Sequence, residues 1–159
     1  MSNLQLQQPP AAKTGMLIRR PVADVFEAFV DPKITTQFWF TKSSGRLEAG
    51  KQVRWEWEMY GVSTLVSVKL IEQNRRIVIE WDDENPSSVE WVFSPLDDGA
   101  TFVSITNDGF KGDGEQVVKQ ALDSVSGFSL VLAGLKALLE HQVRLNLVAD
   151  RFPQGCEKL

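Results

Sequence analysis

Apolar and polar residues alternate at every second position through the middle of the chain, which is the period of a β-strand with one buried face. Charged residues such as Arg54, Glu56 and Glu90 occupy positions between the apolar ones. Turn-forming residues separate the alternating segments at intervals of 10 to 13 residues. This spacing predicts an antiparallel sheet in which consecutive strands are neighbours. The predicted inward positions are Val53, Trp55, Trp57, Met59, Ile77, Ile79, Trp81, Val89, Trp91 and Phe93, with turns at 49–50, 60–61, 73–75, 83–87 and 97–99.

The chain before this sheet predicts one short strand and two short helices. Residues 16–19 form the predicted strand, and Pro21 follows at a position suited to the first turn of a helix. Apolar residues then recur at helical spacing as far as Phe29. The pair Asp31-Pro32 is expected to end this helix and to begin a second one toward residues 38–40.

A long helix is predicted after the sheet. Apolar residues recur at steps of three and four from about Glu115 to beyond Glu140 and form one broad stripe. A helix of ~30 residues is ~45 Å long, which is enough to cross a whole sheet. The sheet has one apolar face and the helix has one apolar stripe, so the direct way to bury both is to pack them together. The sequence therefore predicts an α+β fold in which a curved antiparallel sheet wraps around the C-terminal helix and encloses a mostly apolar pocket.

Both ends of the chain offer little apolar surface to bury. Residues 1–13 are predicted to be a disordered leader, and residues 153–159 are predicted to be a flexible tail. Residues 14–152 show no internal repeat and are predicted to form a single domain, which suits a chain of 159 residues. The one cysteine, Cys156, lies in the tail, and one thiol forms neither an intramolecular disulfide nor a zinc site.

The charge distribution narrows the choice of partners. Residues 1–76 hold 11 basic and 7 acidic side chains, whereas residues 77–159 hold 6 and 14, for a net charge of −4. No basic residue lies between Ile77 and Phe110, where there are eight acidic ones. Such a surface repels phosphate backbones, so nucleic-acid binding is not expected. No segment resembles a signal peptide or a membrane span, which favours a cytoplasmic protein.

A set of short segments, spread over about residues 15–142, adds a more specific pattern. The segments are Pro21-Val22-Ala23-Asp24-Val25-Phe26, Asp31-Pro32, Phe38-Trp39, Glu48-Ala49-Gly50, Asn74-Arg75-Arg76-Ile77-Val78-Ile79-Glu80-Trp81, Gly99-Ala100-Thr101, Asn107-Asp108-Gly109-Phe110, Gly127-Phe128, Leu135-Lys136 and Leu138-Leu139. In these segments the chain resembles the START-like helix-grip domains, and specifically the branch that is similar to the activator of Hsp90 ATPase. That family usually has tryptophan where this chain has Phe128, so the pocket is expected to differ in shape there.

The resemblance implies a fold and a range of functions. The helix-grip fold, which is also called START-like or Bet v1-like, has a curved sheet around a long C-terminal helix and two short helices near the N-terminus. Its members range from binding proteins for lipids and hydrophobic small molecules to cyclases and to co-chaperone domains that act in the stress response. Because one fold carries all these functions, the fold alone does not choose among them.

Five tryptophans are the most unusual feature of the composition. Four lie on the predicted inner face of the sheet, and Trp39 follows the short helices. Large aromatic side chains at such positions either fill the core or line a cavity between sheet and helix. Thr64 and Thr101 lie in phase with apolar neighbours and would give a cavity polar groups, unless they bond locally. The candidate ligand-binding residues are Trp39, Val53, Trp55, Trp57, Met59, Thr64, Trp81, Trp91, Thr101, Phe128 and Leu132.

Residue types for catalysis or metal binding are scarce. His141 is the only histidine and is expected on the solvent side of the helix, which disfavours a Ser-His-Asp or Cys-His site. The glycine-rich segment 109–114 lacks the residues of a phosphate-binding loop and is expected to cover one end of the pocket. Gly127 and Gly134 share one line of the helix, where each either lets another segment approach or leaves room for a ligand. No catalytic residue, metal ligand or cofactor is predicted.

Three functions are compatible with these observations. The leading prediction is binding of a hydrophobic small molecule or lipid in a cavity between the sheet and the C-terminal helix. One alternative is a protein-interaction module that acts as a co-chaperone on an Hsp90-type partner. The other is a cyclase- or hydrolase-type enzyme that uses the same cavity, which would require a buried titratable group there.

Overall fold

The computed structural model describes residues 4–82, 84 and 86–153. The strands are β1 (Ala12–Ile18), β2 (Lys42–Ser43), β3 (Gln52–Trp57), β4 (Val62–Glu72), β5 (Arg76–Asp82), β6 (Ser88–Pro95) and β7 (Thr101–Asp108). The helices are α1 (Val22–Val30), α2 (Pro32–Thr35), α3 (Gly114–His141) and α4 (Leu147–Asp150). This order, two short helices after the first strand and a long helix after the last, is the predicted α+β arrangement.

The seven strands form one antiparallel sheet in the order β1-β7-β6-β5-β4-β3-β2. From β2 to β7 consecutive strands are neighbours, as the turn spacing predicts, and β1 forms the other edge by pairing with β7. A register shift between Val68 and Leu70 interrupts the pairing of β4 with β5. Irregularities of this kind increase the local twist and bend the strand, which helps the sheet to curve. The predicted curved antiparallel sheet is therefore confirmed.

The first strand begins earlier than the sequence predicts. β1 starts at Ala12, and both Ala12 and Lys13 pair with β7. Ala12 is buried, although alanine has a low intrinsic preference for strands. Pairing with a long neighbouring strand outweighs that preference, so the expected disordered leader over residues 1–13 is corrected at its last two residues.

The third strand is shorter than predicted. β3 ends at Trp57, and Glu58–Tyr60 form a 3₁₀ turn that leads into Gly61. Gly61 has a φ of 61°, a left-handed conformation that glycine adopts without steric cost. The turn breaks the two-residue alternation, so Met59 is 39% exposed and does not face inward as expected.

The two short helices form a hydrogen-bonded corner. Asp31 ends α1 and caps α2, because its carboxylate accepts a hydrogen bond from the Lys33 N–H at 3.0 Å. Thr35 is fully buried and donates to the carbonyl of Ala28 at 2.6 Å. The chain leaves this corner directly into the core, where Trp39 is buried.

The long helix α3 is confirmed and has a defined start. The Asp113 carboxylate accepts from the Gln116 N–H at 2.9 Å, and the Gln116 side chain accepts from the Asp113 N–H at 2.8 Å. This reciprocal pair is a capping box, which satisfies backbone donors at the helix start. By its length and its apolar composition alone, α3 would also be able to cross a membrane. Core helices share both properties, and α3 packs against the sheet with Leu132 and Leu135 fully buried.

The connection after α2 approaches α3 closely at Gly134. A Cβ atom built on Gly134 would lie 3.5 Å from both the Cβ and the carbonyl oxygen of Phe38. That distance is ordinary van der Waals contact, so a methyl group fits and a larger side chain does not. Gly134 therefore allows close packing rather than leaving room for a ligand.

We expect Gly134→Leu to destabilise the protein and Gly134→Ala to leave it folded and stable. The leucine side chain would have to displace Phe38, and overpacking of this kind costs about 1–3 kcal/mol of unfolding free energy. Alanine replaces a glycine inside a helix and is expected to stabilise by up to ~1 kcal/mol. Urea denaturation measures both changes. Equal stability of the two variants would contradict the close approach of Phe38.

Candidate ligand-binding cavity

A cavity of about 530 Å³ lies between the middle of α3, the inner face of the sheet and the chain that follows α3. Its wall is mainly aromatic and aliphatic. The residues that line it are Trp39, Trp57, Tyr60, Val62, Trp81, Ser124, Gly127, Phe128, Leu130, Val131, Val148, Arg151 and Phe152.

Trp39 is the centre of the aromatic wall. Its ring centroid lies 4.9 Å from that of Trp55, 5.6 Å from that of Phe128 and 6.5 Å from that of Trp81. Trp55 is buried and stacks in turn on Phe40, with centroids 4.6 Å apart. Rings that contact one another edge-on or tilted restrict one another's rotation. The wall is therefore supported by a second set of rings that a ligand would not touch.

The helix α3 forms one wall of the cavity, and this wall has a gap at Gly127. A Cβ atom built on Gly127 would have no heavy atom within 4 Å, so the helix surface is open at this point. Phe128 and Val131 lie beside the gap and also line the cavity. The two glycines of α3 thus have different roles, because Gly134 contacts Phe38 and Gly127 borders empty space.

The chain after α3 closes the third side of the cavity. The Tyr60 hydroxyl donates to the carbonyl of Val148, and the carbonyl of Ala149 lies 3.2 Å from the same oxygen. The Phe152 N–H donates to the Tyr60 oxygen at 3.4 Å, and the two rings are 6.3 Å apart. One tyrosine therefore holds α4 and Phe152 over the cavity. The remainder of the predicted tail, residues 154–159, lies outside the described residues.

Ser124 supplies a fixed polar group on the helix side. The amide nitrogen of Asn107 donates to the Ser88 carbonyl at 2.8 Å and to the Ser87 hydroxyl at 3.1 Å. These bonds orient the Asn107 side chain, so its oxygen accepts from the Ser124 hydroxyl at 2.8 Å. Because Ser124 donates its only hydroxyl proton to Asn107, its oxygen remains available as an acceptor. Ser124 also borders a second, more polar pocket, of about 610 Å³, beside Phe110.

The structure divides the predicted ligand-binding residues into two layers. Trp39, Trp57, Trp81 and Phe128 line the cavity. Val53, Trp55, Trp91 and Leu132 are buried behind it and belong to the core. The alternation along the strands thus indicates the correct face of the sheet but not which side chains reach the cavity.

The two predicted polar residues bond within the protein instead. Thr101 is fully buried, and its hydroxyl donates to the Arg20 carbonyl at 2.9 Å. Thr64 lies opposite Trp55 on β4, and its hydroxyl donates to the Leu65 carbonyl at 3.3 Å. Neither threonine is among the described residues that line the cavity. The glycine-rich loop was expected at one end of the cavity, but none of its residues is among the described lining residues, and its Phe110 borders the second pocket.

The third side of the cavity was not expected from the sequence. Tyr60, Val148 and Phe152 are far apart along the chain, and no periodic pattern connects them. Two local features could have drawn attention to it. Tyr60 is the only tyrosine, and a short apolar run, residues 147–149, follows the end of the long helix.

The carboxylates with shifted pKa values lie outside the cavity. The Arg46 guanidinium donates to Glu27 and lowers the pKa of that carboxyl. Burial opposes ionisation of Glu140, but hydrogen bonds from Lys136 and the Arg19 N–H hold its pKa below the ordinary value. Both groups therefore stabilise the fold at neutral pH and lose that contribution as the pH falls through their folded-state pKa values. Among the described residues, no cluster of His, Cys, Asp or Glu is arranged to hold a metal ion.

A curved antiparallel sheet that holds a long C-terminal helix, with an aromatic cavity between them, defines a helix-grip domain. The chain belongs to the family of Activator of Hsp90 ATPase homolog 1-like proteins, whose family model matches residues 19–140. The resemblance indicated by the sequence motifs is thereby confirmed. No curated protein sequence matches the chain.

Solved structures share this fold. A protein from Staphylococcus saprophyticus is 33% identical over 86% of this chain and 96% of its own, with a TM-score of 0.74. Aha1 from Colwellia psychrerythraea, whose solution structure is a dimer, is 14% identical over 83% of this chain and 97% of its own, with a TM-score of 0.72. DynU16, from the dynemicin biosynthetic locus, is 18% identical over 84% of this chain and 48% of its own, with a TM-score of 0.71. The last two show the fold alone.

We expect Gly127→Leu to be tolerated and Leu132→Trp to be costly. Leucine at position 127 enters open space and favours the helix more than glycine does, so stability should be unchanged or higher. Leu132 is fully buried in the core, so tryptophan would overpack it at a cost of about 1–3 kcal/mol. Thermal denaturation of the two variants provides the comparison. Similar losses of stability in the two variants would mean that the space beside Gly127 is already filled.

Proposed function

We propose that this protein binds an apolar small molecule or lipid in the cavity between the sheet and α3 without transforming it. The observation that supports the proposal is a preformed cavity of about 530 Å³ with Trp39, Trp57, Trp81 and Phe128 in its wall. Cavities of roughly 300–1,000 Å³ with mostly apolar walls and a few polar groups are typical small-molecule sites. A ligand would gain free energy mainly by removing apolar surface from water, at ~25 cal/mol per Å².

The chemistry of the cavity favours binding over catalysis. The Ser124 hydroxyl donates to Asn107, and no histidine or carboxylate among the described lining residues is available to act as its base. The Tyr60 hydroxyl is engaged with the Val148 carbonyl. A cyclase or hydrolase needs at least one titratable group beside its substrate, so this alternative has weaker support. The proposal includes a cytoplasmic location, which the presence of a single cysteine favours.

A second candidate function is action on an Hsp90-type chaperone. It is favoured by the family match over residues 19–140 and by the fold shared with Aha1 of Colwellia psychrerythraea. We expect the two functions to use different surfaces. Ligand binding depends on the interior of the cavity, whereas a co-chaperone depends on the outer surface, so substitutions inside the cavity separate them.

The binding proposal is tested with N-phenyl-1-naphthylamine, an uncharged aromatic probe whose fluorescence rises in apolar sites. We expect saturable binding of one probe per protein. Gly127→Leu should weaken binding about tenfold or more, equivalent to ~1.4 kcal/mol, because the new side chain occupies the cavity. Ser126→Leu is the matched control, since Ser126 is exposed on the same helix and does not line the cavity.

The control defines the result that would contradict the proposal. Binding that is absent, that does not saturate, or that both variants weaken equally would show that the probe does not enter this cavity. A loss of probe affinity in Gly127→Leu, with the affinity of Ser126→Leu unchanged, supports the binding proposal.

We expect the chain not to stimulate the ATPase activity of an Hsp90 chaperone at micromolar concentration. Stimulation is expected to need a contact surface beyond one helix-grip domain. A coupled ATPase assay with wild type and Gly127→Leu measures the effect. A reproducible several-fold increase that persists in Gly127→Leu would favour the co-chaperone function instead.

A further inference from the structure

Arg151 places a charged side chain in the wall of the cavity. Among the described residues that line it, Arg151 alone carries a formal charge. Arg151 is also exposed, so its side chain lies where the cavity meets solvent. The other polar side chains of the wall are the hydroxyls of Tyr60 and Ser124 and the indole groups. A single cation at the edge of an apolar cavity is suited to fix the orientation of a ligand that has one charged end.

The contacts that hold the C-terminal segment also position Arg151. Its guanidinium lies over the ring of Phe152, 4.6 Å from the ring centroid. Tyr60 binds the chain on both sides of it, at the Val148 carbonyl and at the Phe152 N–H. A long side chain held in this way loses less conformational entropy when it binds a ligand than a free one does.

The described residues leave the hydrogen-bond donors of Arg151 unused. A guanidinium carries five N–H donors, and an aromatic ring offers them no oxygen acceptor. Within the described part of the chain, no hydrogen bond or ion pair takes these donors. By contrast, the guanidinium groups of Arg20, Arg46 and Arg76 each bind a carboxylate.

We propose that the ligand is an apolar molecule with one anionic group, such as a carboxylate, sulfonate or phosphate, that pairs with Arg151. The apolar body would enter the cavity beside Gly127, and the anionic group would stay at the solvent edge. Guanidinium groups bind such anions through two parallel N–H···O hydrogen bonds. This inference rests on the proposed function and adds the chemical class of the ligand to it.

The test compares two probes that share the anilinonaphthalene ring system. One is 8-anilinonaphthalene-1-sulfonate, and the other is the uncharged N-phenyl-1-naphthylamine. We expect Arg151→Gln to weaken binding of the sulfonate about three- to fivefold, because an ion pair at the protein surface contributes modestly. Binding of the uncharged probe should change less than about twofold, since its apolar contacts remain. Higher salt should reduce the difference between the variants.

Two further variants serve as controls. Arg151→Lys keeps the charge and should retain most of the sulfonate affinity. Arg144→Gln removes another exposed arginine near the end of α3 that does not line the cavity, so it should leave both probes unaffected. Unchanged thermal midpoints in all three variants show that the fold is intact.

Each outcome has one meaning. Loss of sulfonate affinity in Arg151→Gln alone supports the inference. Equal loss for both probes would show that Arg151 acts by closing the cavity, and no loss for either would show that it plays no part; both results contradict the inference. If neither probe binds the wild-type protein, the proposed function fails first and the inference fails with it.

Discussion

The helices α1 and α3 share the inner face of a seven-stranded curved sheet, and the cavity lies beside α3 where that cover is incomplete. A straight helix meets a curved surface closely along only part of its length. Just past its midpoint α3 packs closely on the core, since Leu132 and Leu135 are completely buried and Gly134 lies against Phe38. About two turns earlier, at Gly127, the helix surface faces open space.

An apolar cavity lowers stability, because the atoms around it lose contacts that a filled core would provide. The contacts among Trp39, Trp55 and Phe128 form a frame that resists collapse into the space. A ligand that binds only the folded protein would restore the missing contacts and raise stability. The hydrogen bonds of Tyr60 to the chain after α3 hold the third side of the cavity, which stays open to solvent at Arg151.

Local patterns in the sequence predict the elements of this fold better than the walls of its cavity. The apolar stripe predicts α3 well, because the whole pattern lies within the helix itself. Trp55 and Trp57 share a strand and a face, yet only Trp57 lines the cavity. Whether Trp55 or Trp57 reaches the cavity depends on the position of the Trp39 ring, which contacts both.

The remaining wall depends on a contact between distant residues. Tyr60 and Val148 are 88 positions apart. The pattern of apolar residues around either one gives no sign that the two are in contact. Likewise, the orientation of Asn107 is set by β6 and α3 together. Sequence periodicity reports which face a side chain occupies, whereas such contacts depend on how whole elements are placed in space.

The most direct test of a preformed aromatic cavity is a crystal structure of the protein with N-phenyl-1-naphthylamine, compared with one grown without it. The rings of the probe should lie beside Gly127, in contact with Trp57, Trp81 and Phe128, while the rings around Trp39 keep their positions. The contrary result would be a ligand-free structure in which Trp39 or Trp81 fills the space, together with a probe found only on the outer surface.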